Sequence, residues 1–339
     1  MKTIRWGIIG CGDVTEVKSG PGFHKAAPSE LIAVMRRNGV LAADYARRHR
    51  VPRWHDDADA IIRAPDIDAI YVATTPESHC DYVLRCAAAG KPVLVEKPMA
   101  MDAGQCEAML GACRSAGVPL WVAYYRRALP RFLRVRELVQ GGAIGTVRMV
   151  ASRQFQPCRT PAETNPGSPP WRVEAERSGG GLFVDMVSHT LDFLDFVFGP
   201  IAEVRSFAGN QAGAYRAEDI VVASYRFASG VCGSGTFCYA ADRDEEMNEI
   251  VGTEGRILFS TGSPVPIRVV RGNAVEAISV DDPPHVHQPL IQTIVEELNG
   301  GPACASTGES AARTTWVIDE ILREYRTASR ERDGTSRAT

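Results

Sequence analysis

The sequence predicts an α/β protein in which a doubly wound parallel sheet is followed by an α+β domain with a mostly antiparallel sheet. Up to about residue 124, continuous apolar runs alternate with helical segments. Beyond that point the strand-like segments are short, and turns such as ASG and GTEG separate several of them. The length of 339 residues also suits two domains better than one core.

The first domain, residues 1–124, contains five apolar runs that are bounded by glycine, proline or polar residues. Such runs are typical of strands buried on both faces of a parallel sheet. The predicted strands are 3–10, 31–35, 69–74, 92–97 and 119–124. Helices are predicted at 41–49, 79–90 and 102–117, and Gly90 suits the position that follows a helix C-terminus.

The second domain, residues 125–325, begins with a predicted helix at 131–142 and an alternating strand at 145–155. A loop rich in proline and glycine, 157–171, precedes a helix at 183–194. Short strands are predicted at 201–208, 219–227, 231–238, 247–251, 256–259 and 267–271. Helices are predicted at 289–300 and at 307–325, and Ser306 and Glu309 form a capping-box pattern before the second of them. The polar residues 326–339 are expected to form a frayed tail.

Composition and charge narrow the class of protein. A net charge of −3 gives no reason to expect nucleic acid as a partner. The N-terminus lacks the pattern of a signal peptide, and no apolar run is long enough to span a membrane. The nine cysteines include no CxxC pair, so we expect reduced thiols in a cytoplasmic protein.

A glycine pattern after the first strand predicts a dinucleotide-binding loop. Gly10 permits a tight turn, and Gly12 allows the backbone to approach a pyrophosphate, which the following helix N-terminus attracts. The third position of this fingerprint is Thr15 rather than glycine or alanine. Glycines after a strand are often only a turn, but the position at the first βα junction favours cofactor binding.

The end of the second strand predicts which cofactor binds. NAD-binding folds usually carry an acidic residue there for the ribose diol, whereas this chain has Arg36 and Arg37. Two guanidinium groups pair well with a 2′-phosphate, so we expect NADP(H), with NAD(H) as the alternative. In that alternative one arginine stacks on the adenine and the other faces solvent.

The predicted helix at 183–194 carries a polar stripe. Asp185, His189 and Asp192 share one face because they are spaced by four and three residues. Periodicity alone favours a solvated face. The preceding SGGG and the apolar residues around the stripe indicate that it faces a cleft. A neutral imidazole there can accept the hydroxyl proton of an alcohol.

Several motifs in order resemble those of the Gfo/Idh/MocA oxidoreductases, a family that includes glucose-fructose oxidoreductase and inositol dehydrogenases. The motifs are GCGDV, TTPESH, AAGKPVLVEKP, GAIGTV, SGGGLFVDMVSHTLD and GTEG. The resemblance implies an N-terminal Rossmann domain and a C-terminal domain whose large open sheet often forms the interface of a homodimer or homotetramer. It also implies that the last helix packs back toward the nucleotide domain.

The resemblance implies a catalytic set of Lys97, Asp185 and His189. His189 is then the general acid or base, Lys97 polarises the substrate oxygen, and Asp185 binds substrate. The implied cofactor-binding residues are Gly10, Gly12, Asp13, Val14, Arg36, Arg37, Thr74, Thr75, Pro76, His79, Glu96, Lys97 and Arg172. Among the substrate contacts, the resemblance implies Arg127, and Tyr125 and Arg153 are further candidates from the sequence.

The family's usual substrates imply a sugar, cyclitol or related polyol. Three alternatives stay open. The first is a non-catalytic NADP(H) sensor. The second is an enzyme that retains its nicotinamide and cleaves glycosides by oxidation and elimination. The third is a zinc enzyme that uses Asp185 and His189. His285 and His287 share a face if they lie on a strand, but no third ligand has a suitable spacing, so we expect no metal.

Overall fold

The computed structural model describes residues 1–164 and 170–336, which divide into two compact units. The first unit comprises Met1–Leu129 and Asp282–Ala312. The second comprises Pro130–Asp281 and the described residues from Arg313 onward. The division therefore differs from the sequence-based boundaries, because a late segment of the chain returns to the first unit.

The first unit is built on a six-stranded parallel sheet. Its strands are β1 (Ile4–Ile9), β2 (Ser29–Met35), β3 (Arg53–His55), β4 (Ala69–Val72), β5 (Val93–Val95) and β6 (Leu120–Val122). The order β3-β2-β1-β4-β5-β6 is that of a Rossmann fold, as predicted. In such a sheet the chain reverses its direction of winding between β1 and β4, and ligands bind beyond the carboxyl ends of the strands there.

Helices cover both faces of this sheet. They are α1 (Asp13–Val17), α2 (Gly20–Lys25), α3 (Gly39–His49), α4 (Asp59–Ile62), α5 (His79–Ala88), α6 (Ala103–Ala116) and α11 (Gln288–Leu298). Ile291 and Ile294 of α11 belong to the same buried cluster as Trp6 and Phe23. This apolar packing explains why the late segment joins the first unit, since each buried aliphatic side chain contributes roughly 1.5–3 kcal/mol.

The second unit contains an eight-stranded sheet in the order β14-β13-β12-β11-β7-β10-β9-β8. Among the strand pairs that the structure describes, β7 and β10 are parallel and the others antiparallel, which confirms the predicted sheet. The strands are β7 (Val147–Pro157), β8 (Ile201–Gly209), β9 (Ile220–Phe227), β10 (Cys232–Ala241), β11 (Glu245–Gly252), β12 (Arg256–Phe259), β13 (Ile267–Arg271) and β14 (Ala274–Ile278).

The helices of the second half of the chain are α7 (Pro130–Gln140), α8 (Pro161–Thr164), α9 (Ala175–Ser178), α10 (Leu182–Phe198) and α12 (Gly308–Ser336). The structure differs from the frayed tail predicted for residues 326–339 in that α12 continues to Ser336, and residues 337–339 lie outside the described residues. Arg326 forms an ion pair with Asp319 at 2.5 Å and donates to the Gly179 carbonyl oxygen at 2.5 Å. These contacts hold α12 at Arg326, the first residue of the segment that sequence polarity indicated to be frayed.

Candidate functional site

The predicted phosphate loop lies at the switch point of the first sheet. Gly10 has a φ of +91°, and an added Cβ would lie 2.7 Å from the Thr74 Cγ2 atom, so only glycine fits between the ends of β1 and β4. An added Cβ on Gly12 would meet, among the described residues, only the Gly10 carbonyl oxygen at 3.9 Å. The backbone at Gly12 is therefore open to a ligand, and this fits a dinucleotide pyrophosphate.

The hydrogen bonds of Thr15 explain how a threonine fits at the third fingerprint position in place of a small residue. Its side chain is buried, and its Oγ1 accepts from the Gly12 N–H at 3.0 Å and donates to the Gly12 carbonyl at 2.8 Å. The Tyr45 hydroxyl then donates to the Thr15 carbonyl at 2.8 Å. Thr15 thus fastens the start of α1, which carries Asp13 and Val14, to the loop before it.

The two arginines predicted to recognise the cofactor directly follow β2. Arg36 is half-buried and Arg37 is exposed. The positive charge of Arg36 lowers the pKa of the Cys11 thiol in the phosphate loop, although burial is the larger effect and raises that pKa to about 11. In the described part of the chain, neither guanidinium forms an ion pair. Both therefore keep their charge available for an anionic ligand.

The loop after β4 contains Thr74, Thr75 and Pro76, all predicted to contact the cofactor. It continues as a short 3₁₀ turn, Pro76–Ser78, and the Ser78 hydroxyl donates to Thr74 Oγ1 at 2.8 Å. His79 is fully buried, with its Nδ1 3.0 Å from the Pro98 carbonyl oxygen and its Nε2 3.0 Å from the Thr74 carbonyl oxygen. Burial lowers the pKa of His79. The imidazole therefore ties the loop after β4 to the loop after β5.

Glu96 and Lys97 directly follow β5, and the Glu96 carboxylate is buried. It accepts hydrogen bonds from the Tyr71 hydroxyl, from His287 Nε2 at 3.1 Å and from the Lys97 backbone N–H at 3.1 Å. Burial raises the pKa of Glu96, but the His287 and Tyr71 interactions outweigh it and bring that pKa to about 2. Glu96 is thus an anion held by its own unit.

The polar stripe of α10 is not a solvated face. His189 is 8% exposed and Asp192 is 0% exposed, while Asp185 is partly exposed. The Arg172 Nε donates to the Asp185 carboxylate at 3.1 Å. The structure therefore brings together Arg172, predicted to bind cofactor, and Asp185, predicted to act in catalysis. An ion pair of this kind holds a carboxylate in one orientation.

The glycines before α10 admit another part of the second unit. Gly181 donates its N–H to the buried Glu218 carboxylate at 2.7 Å. An added Cβ on Gly181 would lie 2.6 Å from the Glu218 carbonyl oxygen, and one on Gly180 would lie 2.4 Å from a methyl of Val184. The close neighbour of the SGGG segment is therefore Glu218, and glycine is needed for its approach.

Glu218 gives this helix start a dependence on pH. Burial raises the pKa of Glu218 to about 7, against smaller opposing effects of the Gly181 N–H and Arg326. An acid whose pKa is higher in the folded state stabilises the fold below its unfolded pKa of about 4.5, and that stability is lost as pH rises to about 7. Glu218→Gln keeps an acceptor for Gly181 and removes the charge.

We therefore expect the free energy of unfolding of Glu218→Gln, relative to wild type, to increase by up to roughly 3 kcal/mol as the pH rises from 5 to 8. Urea denaturation at both pH values measures this difference in the free energy of unfolding. Glu203→Gln, an exposed exchange on β8, serves as the control. Parallel pH profiles for wild type and Glu218→Gln would contradict the assignment.

The three predicted substrate contacts differ in burial and in the groups that they contact. Tyr125 lies after β6, and its ring is 4.5 Å from the His287 ring. Arg127 is buried and donates to the Ala305 carbonyl at 3.2 Å, which favours a structural role. Arg153 is exposed on β7 and pairs with Glu245. Because side chains alternate along a strand, Arg153 points away from the face that contacts α10.

Sequence reasoning missed two polar residues on the face of the sheet that contacts α10. Gln154 donates to the Met186 sulfur at 3.8 Å, next to Asp185. The buried Tyr239 donates its hydroxyl to Gln154 Oε1 at 3.1 Å. The strand alternation that buries Ser152 and Gln154 is the available signal in the sequence, and by itself it predicts a buried face of the sheet and not a site.

The two histidines considered as metal ligands bind protein groups instead. His285 Nδ1 lies 2.7 Å from the Val17 carbonyl oxygen, and His287 Nε2 contacts Glu96. Across residues 1–164 and 170–336, no group of three His, Cys, Asp or Glu residues is arranged to hold a metal ion. In the same residues, no helix combines the length and the apolar character that crossing a bilayer requires.

Two models of known protein families match this chain. Residues 4–124 match a family model described as an oxidoreductase family with an NAD-binding Rossmann fold. Residues 132–258 match a model described as the GFO/IDH/MocA C-terminal domain.

Individual relatives match along most of their length. A protein from Formosa agariphila that is named an oxidoreductase is 36% identical over 318 residues, 93% of this chain and 97% of the relative. A 1,5-anhydro-D-fructose reductase from Ensifer adhaerens is 29% identical over 310 residues, 90% of this chain and 91% of the relative. The crystal structure of an aldose-aldose oxidoreductase from Caulobacter crescentus, complexed with glycerol, superimposes with a TM-score of 0.84 at 25% identity and covers 96% of this chain and 98% of that one.

Proposed function

The chain belongs to the GFO/IDH/MocA family of oxidoreductases, and on this premise we propose an NADP(H)-dependent enzyme that acts on a secondary alcohol or ketone of a sugar, cyclitol or related polyol. One observation carries the cofactor assignment. Arg36 and Arg37, which form no ion pair in the described part of the chain, follow β2 beside the open backbone at Gly12. An NAD-specific site would place a carboxylate at the end of β2.

The substrate class is supported by the second unit and by the names of the relatives. One relative is named for reducing an anhydro sugar, and a structural neighbour is named for aldoses. Near the start of α10, the partly exposed Asp185 carboxylate supplies acceptors of the kind that bind the hydroxyl groups of a polyol. The hydrogen-bonded pair of Gln154 and Tyr239 lies on the face of the sheet that contacts α10. Arg172 holds the Asp185 carboxylate as an acceptor.

We assign each catalytic residue one task. His189 takes the hydroxyl proton when the alcohol is oxidised and returns it when the ketone is reduced. The Lys97 ammonium stabilises the negative charge that develops on the oxygen. Asp185 holds the substrate by accepting from a neighbouring hydroxyl. The nicotinamide, when bound, supplies or accepts the hydride.

Exchanging the two arginines tests the cofactor assignment. Arg36→Ala/Arg37→Ala is expected to raise KM for NADPH by about 10- to 100-fold, because two charge-assisted contacts to the 2′-phosphate are lost. KM for NADH should stay within about threefold, since NADH lacks that phosphate. Initial rates with both cofactors measure the change, and Arg47→Ala, an exposed arginine of α3 paired with Asp44, is the control. An unaltered preference between NADPH and NADH would contradict the assignment.

A panel of sugars, cyclitols and their ketones, followed by absorbance at 340 nm, tests the reaction itself. We expect reversible oxidation or reduction of at least one member with NADP(H). Tight binding of NADPH without turnover on any member would favour the sensor alternative. Cofactor that stays with the protein through gel filtration would favour the alternative in which the nicotinamide is recycled within one catalytic cycle.

A further inference from the structure

A buried cluster in the first unit joins the start of α11 to the end of β5. His287 precedes α11, and its side chain is 1% exposed. Its backbone N–H donates to the Lys18 carbonyl at 3.1 Å, so the segment before α11 is anchored beside the end of α1. Its ring packs against Tyr125, which follows β6. His287 thus lies near the carboxyl ends of the strands, where a parallel sheet of this kind binds its ligands.

The contacts of His287 lead to the lysine through one carboxylate. His287 Nε2 and the Tyr71 hydroxyl both engage Glu96 Oε1, while Glu96 Oε2 accepts from the Lys97 backbone N–H. Three donors on two oxygens fix the plane of the carboxylate. The peptide that carries the Lys97 side chain is thereby fixed as well.

The other nitrogen of the imidazole indicates that packing alone does not account for this histidine. His287 Nδ1 is buried and has no hydrogen-bond partner among the described residues. A buried polar atom without a partner costs free energy that an apolar side chain of similar size would avoid. The gain that offsets this cost is the bond from Nε2 to Glu96.

We propose that His287 is a positioning residue of the active site, which orients Lys97 by holding the Glu96 carboxylate that binds the Lys97 backbone. The proposal rests on the proposed function only in that Lys97 acts on the substrate oxygen. The orientation of Lys97 is a property of the protein without substrate and can be measured separately.

Two substitutions at His287 distinguish the loss of the Nε2 hydrogen bond from the loss of side-chain volume. Glutamine carries an amide N–H at the position of Nε2, whereas asparagine reaches only the position of Nδ1. His287→Asn should therefore lower kcat by about 10- to 100-fold with KM for NADPH within about threefold, because a misplaced catalytic group loses rate rather than cofactor affinity. His287→Gln should recover most of the wild-type kcat. His285→Ala, in the same segment, is the control.

A second readout does not depend on turnover. Reductive ¹³C-methylation of the full-length protein labels its lysines for NMR, and Lys97→Arg identifies the Lys97 signal. We expect His287→Asn and Glu96→Gln to move or broaden that signal, and His287→Gln to restore it. Equal kcat in the asparagine and glutamine variants, or a Lys97 signal unmoved in His287→Asn, overturns the proposal. A wild-type protein without turnover whose Lys97 signal still responds to His287→Asn contradicts the proposed function and supports the positioning role.

Discussion

His189→Ala is expected to lower kcat by at least about 100-fold, because the alcohol proton then loses the imidazole assigned to accept it. Binding of NADPH should survive, since His189 is assigned to the proton of the substrate and not to the cofactor. The buried position of His189 on α10, four residues after the Asp185 held by Arg172, is that of a fixed imidazole. Stopped-flow absorbance at 340 nm gives kcat, and quenching of protein fluorescence gives the Kd for NADPH.

Ser188→Ala is a matched control for His189→Ala. Ser188 is also buried on α10, and its hydroxyl bonds to the backbone of the same helix, at the Asp185 carbonyl. The Ser188→Ala variant should retain the wild-type kcat within about threefold, because its lost hydrogen bond lies within the helix. A wild-type kcat in His189→Ala removes the imidazole from the mechanism.

Lys97→Met is expected to lower kcat by about 100- to 1,000-fold, which is the usual effect of losing one group that stabilises an oxyanion. Methionine keeps a similar apolar stem without the ammonium charge. The Glu96 contact to the residue 97 backbone N–H does not depend on the side chain, so the loop should keep its conformation. The fall should appear in kcat and in kcat/KM for the substrate together.

Lys97→Arg separates charge from position. Arginine keeps a positive charge but places it on a larger, planar group, so we expect only partial activity. A Lys97→Met enzyme that loses affinity for the substrate but keeps kcat would instead assign Lys97 to binding alone.

The first sheet was the part of the fold most readily predicted. β4 is buried along its whole length and β1 at every residue but Arg5, so both are mostly apolar runs, followed by Thr74 and Gly10. The sequence pattern does not predict β3 and β14, for the opposite reason. β3 has three residues, with Trp54 46% exposed at its centre, and β14 is almost wholly exposed, so neither shows a buried pattern.

The site could be predicted where its residues are close in sequence and not where they meet by folding. Asp185 and His189 are one helical turn apart, and periodicity alone aligns them. The contact of His287 with Glu96 joins residues 191 positions apart. The approach of Glu218 to Gly181 spans 37 positions. No local pattern records either contact, because both depend on which strands and loops become neighbours in the folded chain.

Transfer of deuterium from the cofactor tests the central claim most directly. NADPH labelled at C4 with deuterium, in the pro-R or the pro-S position, is mixed with the wild-type protein and with sugar and cyclitol ketones. We expect one of the two labelled cofactors to deliver one deuterium to the carbinol carbon of the product, as seen by mass spectrometry. Tight binding of both labelled cofactors with no deuterium in any product would contradict it.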